Sequence, residues 1–161
     1  MAIRKLVDAD HTVLREKADP VKKISDPIKQ LMDDMVETMM HFNGLGLAAP
    51  QLGISRQLVV VKAGEGEFLK LVNPQILESS GEDVDVEGCL SLPGAFGEVK
   101  RADNIFVEAL NPGGEHINLN ASGMLARIIQ HEVDHLQGVL FVDRAIRIID
   151  PEELQEKGDN A

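Results

Sequence analysis

The sequence predicts an α+β domain: antiparallel β-strands packed around a histidine-bearing helix, with an amphipathic helix near the N-terminus. Three observations lead there. Methionine and aliphatic residues recur at helical spacing between residues 28 and 40. Short apolar runs broken by turn residues fill the middle of the chain, and a second helical pattern carries two histidines on one face. Strands that follow one another over short turns pair as hairpins, and helices flanking such a run cover the sheet. At 161 residues the chain fits one domain, expected over residues 1–150, with a short acidic tail over 151–161 that frays.

The elements follow in order. Asp26-Pro27 opens the first helix, with Asp26 as cap and Pro27 at the first helical position. Ile28, Leu31, Met32, Met35, Val36, Met39 and Met40 then form a stripe expected to be buried core, and Asn43-Gly44 ends the helix. Strands are expected over 58–62, 68–72, 76–82, 97–101, 105–110 and 116–119, the last two joined by a hairpin turn at Pro112-Gly113-Gly114. A second helix is expected over 122–137, with Met124, Leu125, Ile128, Leu136 and the two histidines on related faces and Gly138 as its stop.

Composition narrows the function. The chain is 43% hydrophobic and 27% charged, with five Phe, no Trp and no Tyr, so the core is aliphatic and rich in Met. Its net charge of −11 repels phosphate backbones and anionic membranes, so neither nucleic acid nor a lipid surface is an expected partner. One cysteine allows no internal disulfide, which fits a reducing compartment. Met1-Ala2-Ile3-Arg4-Lys5 does not begin a signal peptide, and no apolar run approaches the roughly 20 residues of a membrane span. A cytoplasmic protein is expected.

The segment His131-Glu132-Val133-Asp134-His135 carries the strongest chemical signal. Positions four apart stack on one helix face, so both imidazoles reach a single metal. Glu132 is offset around the helix, which suits it to act as general base toward a water beside that metal. Catalytic zinc-type sites take three protein ligands and leave one position open. The metzincin continuation HExxHxxGxxH fails here, because its third histidine position is Phe141. A third ligand must come from His11, His41, His116 or Cys89, and the loop-like stretch Glu87-Gly88-Cys89-Leu90-Ser91 favours Cys89. A thiolate ligand suits zinc or iron(II). The segment from Gly44 to Gln51, with Leu45 and Gly46 in it, lacks the Lys-Ser/Thr of a phosphate loop. Its glycines suggest backbone lying close to something, an extended substrate for example, and Gln51 can present an amide N–H to a developing oxyanion.

Together these segments resemble the peptide deformylase family, whose pattern GxGLAAxQ, EGCLS and HExDH occurs here intact and in order. The resemblance spans nearly the whole chain. It implies that Cys89, His131 and His135 bind one divalent metal, usually iron(II), with zinc, nickel or cobalt able to take its place. It implies Glu132 as general acid/base, and the Gln51 side chain and Leu90 backbone N–H as donors to the oxyanion. The implied reaction removes the N-formyl group from the initiator methionine of new proteins and releases formate. The implied partners are N-formylmethionyl peptides and nascent chains, met by a monomer. Gly44, Leu45, Gly46 and Gly88 are expected to line the substrate, with Leu45, Met124 and Ile128 around its methionine side chain. Phe96 stands where many relatives carry polar or basic residues. The tail lacks the longer basic helix that some relatives dock on ribosomes, so only transient ribosome proximity is expected. Two rival readings use the same residues: a closed structural metal site, which needs a fourth ligand from His11, His41 or His116, and a peptidase that cuts internal bonds.

Overall fold

The structure is a computed structural model that describes residues 2–150 and 152. The expectation for the tail over 151–161 therefore lies, Glu152 apart, outside the described residues. Helix α1 (Asp26–His41) begins one residue earlier than Asp26 as cap would have it. Ser25 has the extended backbone of a cap, and its hydroxyl accepts from Ile28 N at 3.4 Å. Asp26 and Pro27 fall inside the first turn, where a carboxylate meets the positive end of the helix dipole. Met32, Met35 and Met39 are fully buried, whereas Met40, in the last turn, is 54% exposed and leaves the expected stripe. Asn43, with φ at +56°, stops the helix as expected.

A five-stranded antiparallel sheet has the order β1-β2-β3-β6-β7, with β1 (Gly46–Ala48), β2 (Leu58–Gly64), β3 (Glu67–Ser80), β6 (Asn104–Leu110) and β7 (His116–Ser122). Leu58 and Val60 pack with α1, while Val59 and Val61 pack with α2 (Gly123–Leu136). The sheet thus divides two cores. This is why 58–62 reads as a continuous apolar run, since a strand covered on both faces has no polar side. The runs 68–72 and 76–82, expected as two strands, form the one strand β3. Asn73 turns through φ +51° between them, and its side-chain amide bonds Val21 N and Val21 O at 2.8 Å each. The irregularity is absorbed as a bulge, because Asn tolerates the left-handed region and its amide is satisfied. The hairpin at Pro112-Gly113-Gly114 is present, closed by Asn111 N donating to Glu115 O at 2.9 Å.

A second sheet has the order β4-β5-β8, with β4 (Asp83–Cys89), β5 (Leu92–Arg101) and β8 (Ala145–Ile149). The expectation of a loop around Cys89 is corrected here. Glu87, Gly88 and Cys89 end β4, and Cys89 pairs with Leu92 across a two-residue turn of Leu90 and Ser91. Short helix α3 (Phe141–Arg144) leads into β8. Among the described residues no helix is long and apolar enough to cross a membrane.

The N-terminal residues are tied across α1 toward the site. Asp34, 3% exposed, accepts from Ala2 N (2.8 Å), Arg4 Nε (3.0 Å) and Gln30 Nε2 (2.9 Å), and Val7 N donates to Gln51 O at 2.9 Å. Burial opposes the Asp34 charge, but the hydrogen bonds from Gln30, Ala2 and Arg4 outweigh it and hold the carboxyl below its ordinary value. A depressed carboxyl stabilises the fold above its ordinary pKa and loses that effect as pH falls through the folded value. Asp34→Asn is therefore expected to cost about 1.5–3 kcal/mol at pH 7, typical of hydrogen bonds to a charged group. The gap from wild type should narrow below about pH 4. Urea midpoints at pH 7 and pH 3 test this, and a gap of equal size at both would refute it.

Candidate metal centre

Residues distant in sequence converge at one point. Helix α2 presents His131 and His135 with ring centroids 5.1 Å apart, and the end of β4 brings Cys89 Sγ to 3.4 Å from His135 Nε2. The ligand atoms of the three all lie within 4.8 Å of one another. Around a tetrahedral ion with metal–sulfur near 2.3 Å and metal–nitrogen near 2.1 Å, neighbouring donors stand about 3.4–3.6 Å apart. Three donors gathered this closely could hold a cation, and in a four-coordinate site they would leave one position free. The other candidates for third ligand are elsewhere. His11 caps the first short turn by accepting from Val13 N, His41 packs its ring on Phe42, and the exposed His116 sits 3.9 Å from Glu108. Phe141, the residue in the metzincin histidine position, stacks on the His131 ring with centroids 6.1 Å apart.

The ring of His131 is held from behind. Its Nδ1 meets Glu87 Oε1 at 2.8 Å, which leaves Nε2 for a metal. Glu87 is itself gripped by Arg101 through Nε and Nη2, at 2.9 Å each, and by Arg127 Nη1 at 2.6 Å. Burial works against its charge, yet Arg101 and His131 hold the carboxyl well below the ordinary carboxylate value. Arg101 also reaches Asp134 at 2.6 Å, and Arg144 joins the same carboxylate at 2.5 Å. Burial opposes a proton on His131, but hydrogen bonds with Cys89 and Glu87 and the charge of Glu132 raise its pKa. A cation would compete for that proton's place. His135 is kept neutral by burial and by the positive charges of His131 and Arg101.

Glu132 is 4% exposed, and its Oε1 is buried without a hydrogen-bond partner. Burial pushes its carboxyl up to about 7, with the charge of His131 pulling the other way. A group poised there both accepts and returns a proton near neutrality. Gln51 Oε1 accepts from Ala48 N at 2.9 Å, and its Nε2 lies 3.1 Å from Ser91 Oγ and 3.5 Å from Cys89 Sγ.

These groups open on a cavity of about 750 Å³ lined by Gly44, Leu45, Gly46, Gln51, Gly88, Cys89, Leu90, Met124, Ile128, His131 and Glu132. Residues 3–150 match the polypeptide deformylase family. This chain belongs to that family. It is 50% identical over 149 residues to the peptide deformylase of Carboxydothermus hydrogenoformans, covering 92% of this chain and 97% of that one. To the peptide deformylase of Desulfitobacterium hafniense it is 52% identical over 145 residues, covering 90% and 96%. Its fold is similar to the crystal structure of the Thermotoga maritima peptide deformylase, with a TM-score of 0.87 at 40% identity over 90% of this chain and 99% of that one. The Synechococcus elongatus peptide deformylase in complex with actinonin gives a TM-score of 0.87 at 41% identity, over 96% and 86%.

In this deformylase-family chain the glycines expected to lie near a substrate first lie near the protein itself. A Cβ on Gly46 would stand 2.6 Å from Glu132 Oε2 and 2.9 Å from Ile128, and one on Gly44 would stand 2.8 Å from Leu90. The close approach seats Glu132 beneath β1. Sequence reasoning assigned no role to Glu87, Arg101, Arg127 or Ser91. Glu87 carried a readable signal, because it stands two residues before Cys89 and on a strand the two share a face. Nothing local marks the arginines, whose partners are drawn from β4, β5 and α2.

Proposed function

We propose that the chain removes the N-formyl group from the formyl-methionine that begins new proteins, releasing formate, within a single catalytic domain over residues 1–150. The observation that carries this is the cluster of Cys89, His131 and His135, able to hold a cation, beside a buried Glu132 with an unpartnered Oε1 at one cavity. The donor set of one thiolate and two imidazoles fits iron(II) or zinc. Iron(II) is the cation we assign in the cell, with zinc, nickel or cobalt able to replace it. Bound there, the cation supplies an acidified water and polarises the formyl carbonyl.

The chain's own residues do the rest. Glu132 takes the proton of the attacking water and passes it to the leaving amine. The Gln51 amide and the Leu90 backbone N–H donate to the carbonyl oxygen as it gains charge. Strands β1 and β4 are edge strands of their two sheets, and Gly44 and Gly46, at and just before β1, and Gly88 on β4 line the cavity. An extended peptide laid between them pairs with free backbone groups on either side. Leu45 and Met124, both about half exposed, and Ile128, 9% exposed, form the wall for the methionine side chain. The partners are formylated peptides and nascent chains, met by a cytoplasmic monomer with transient ribosome proximity.

A formyl carbonyl bears only hydrogen on its far side, so it fits between Cys89, the glycine segment and α2 where a bulkier acyl group collides. Rapid formate release is expected from formyl-Met peptides, very slow cleavage from acetyl-Met peptides, and none from the free Met-peptide. Following formate, acetate and free amine from the three peptides decides it. Comparable formyl and acetyl rates, or cutting inside the unformylated peptide, would sink the assignment.

A further inference from the structure

Ser91 has no part in the reaction as described, yet the residue is 2% exposed and sits against the site in the turn between β4 and β5. Its Oγ accepts from Gln51 Nε2 at 3.1 Å. The other end of the same amide is fixed, because Gln51 Oε1 accepts from Ala48 N at 2.9 Å. An exchange of the amide's oxygen and nitrogen would set a donor against the Ala48 N–H, so the group cannot flip at low cost. The two N–H bonds of a planar amide diverge, and the one given to Ser91 therefore sets the direction of the other. That second N–H faces Cys89 Sγ, 3.5 Å from Nε2. Gln51 is itself 1% exposed, so water does not compete for these bonds.

We propose that Ser91 is a positioning residue: by holding one N–H of the Gln51 amide it aims the other at the Cys89 sulfur and the open space beside it. The inference rests on the deformylase reading only for its kinetic consequence. An N–H held against a thiolate withdraws electron density from it, and the same N–H lies ready for the carbonyl oxygen of a substrate. Without the Ser91 hydroxyl the amide keeps its oxygen anchored to Ala48 but loses the bond that fixes its nitrogen. The donor then spreads over several orientations, and part of its effect is lost.

Ser91→Ala and Ser91→Thr, which keeps the hydroxyl, test this in protein loaded with cobalt(II), whose sulfur-to-cobalt charge-transfer band reports on Cys89. Ser91→Ala should retain one cobalt per chain, shift that band, and lower kcat about tenfold, a fraction of a whole oxyanion donor. KM should stay within about twofold, and Ser91→Thr should restore both band and kcat. In metal-free wild-type protein, NMR should show the Gln51 side-chain N–H signals slow to exchange with solvent and displaced from free-amide positions, and in Ser91→Ala they should exchange faster and move toward those positions. A wild-type Gln51 pair that exchanges freely would overturn the proposal without any variant. So would an unchanged band and kcat in Ser91→Ala, or a loss in kcat and KM alike that Ser91→Thr fails to rescue. The cobalt band and the NMR signals need no substrate, so absence of formate release from the wild type would count against the deformylase reading and leave this test standing.

Discussion

Glu132→Gln is expected to fold and bind its cation like the wild type while turning over roughly 10²–10⁴ more slowly, the worth of a general acid–base group. The substitution keeps the size of the side chain and its place under Gly46, against which a Cβ would stand only 2.6 Å from Oε2. It removes the one property the site selects for, a buried carboxyl poised at about 7 with an unpaired oxygen. Because Glu132 is not among the three groups whose ligand atoms cluster, metal content should not change. Metal analysis of the purified variant, paired with formate release under saturating formyl-Met peptide, separates the two effects. A variant within tenfold of wild-type turnover would remove Glu132 from the proton-transfer role. One that lost its metal would make Glu132 a ligand.

The second large effect is expected at Glu87. Replacing it by Ala leaves Arg101 and Arg127, 6% and 5% exposed, without the buried carboxylate they share, so that Arg101 keeps only Asp134 and Arg127 only the more exposed Asp83. Breaking a buried ionic group from one side costs about 3–5 kcal/mol, because the desolvation of the remaining charges is no longer offset. The same substitution frees His131 Nδ1 from the 2.8 Å contact that fixes its ring. Loss of such a support weakens metal affinity by about 10–100-fold. Urea unfolding of the metal-free protein measures the first effect, and competition with a chelator measures the second. Glu87→Gln, which keeps one acceptor for His131 or Arg101 but not the charge, should fall between wild type and Glu87→Ala in both. Wild-type metal affinity in Glu87→Ala would show that Phe141, stacked on the same ring, orients His131 without help.

Legibility differed by element for physical reasons. The capped first helix and the histidine helix were readable because a buried stripe at helical spacing is a strong local pattern, and their observed ranges, Asp26–His41 and Gly123–Leu136, lie close to the expected ones. Strand β4 was missed as a strand. Its acidic residues Asp83, Asp85 and Glu87 look solvated, and nothing in its own sequence reveals that Glu87 is buried against arginines. Strand β1 has three residues, too few for any period to register, and β8 carries Ile146 and Ile148 exposed rather than buried. The gap expected between 72 and 76 was a bulge, since Asn73 finds its partners at Val21, far away in the chain.

By itself the sequence determined which residues could carry the chemistry. The His131–Glu132–His135 spacing follows from helix geometry, and the Gly-flanked Cys89 was the favoured third candidate beside His11, His41 and His116. What the tertiary structure decided is how those residues are held and aimed. Pairing of β4 with β5 carries Cys89 to His135, and the close approach of Gly46 seats Glu132. The Ala48 amide and the Ser91 hydroxyl orient Gln51, and two arginines from separate elements allow Glu87 to stay charged behind His131. Apart from the Ala48–Gln51 bond, each of these depends on contacts between residues well separated in the sequence. Local pattern carries information about period and propensity, whereas the burial and pairing of a charge are properties of the assembled fold.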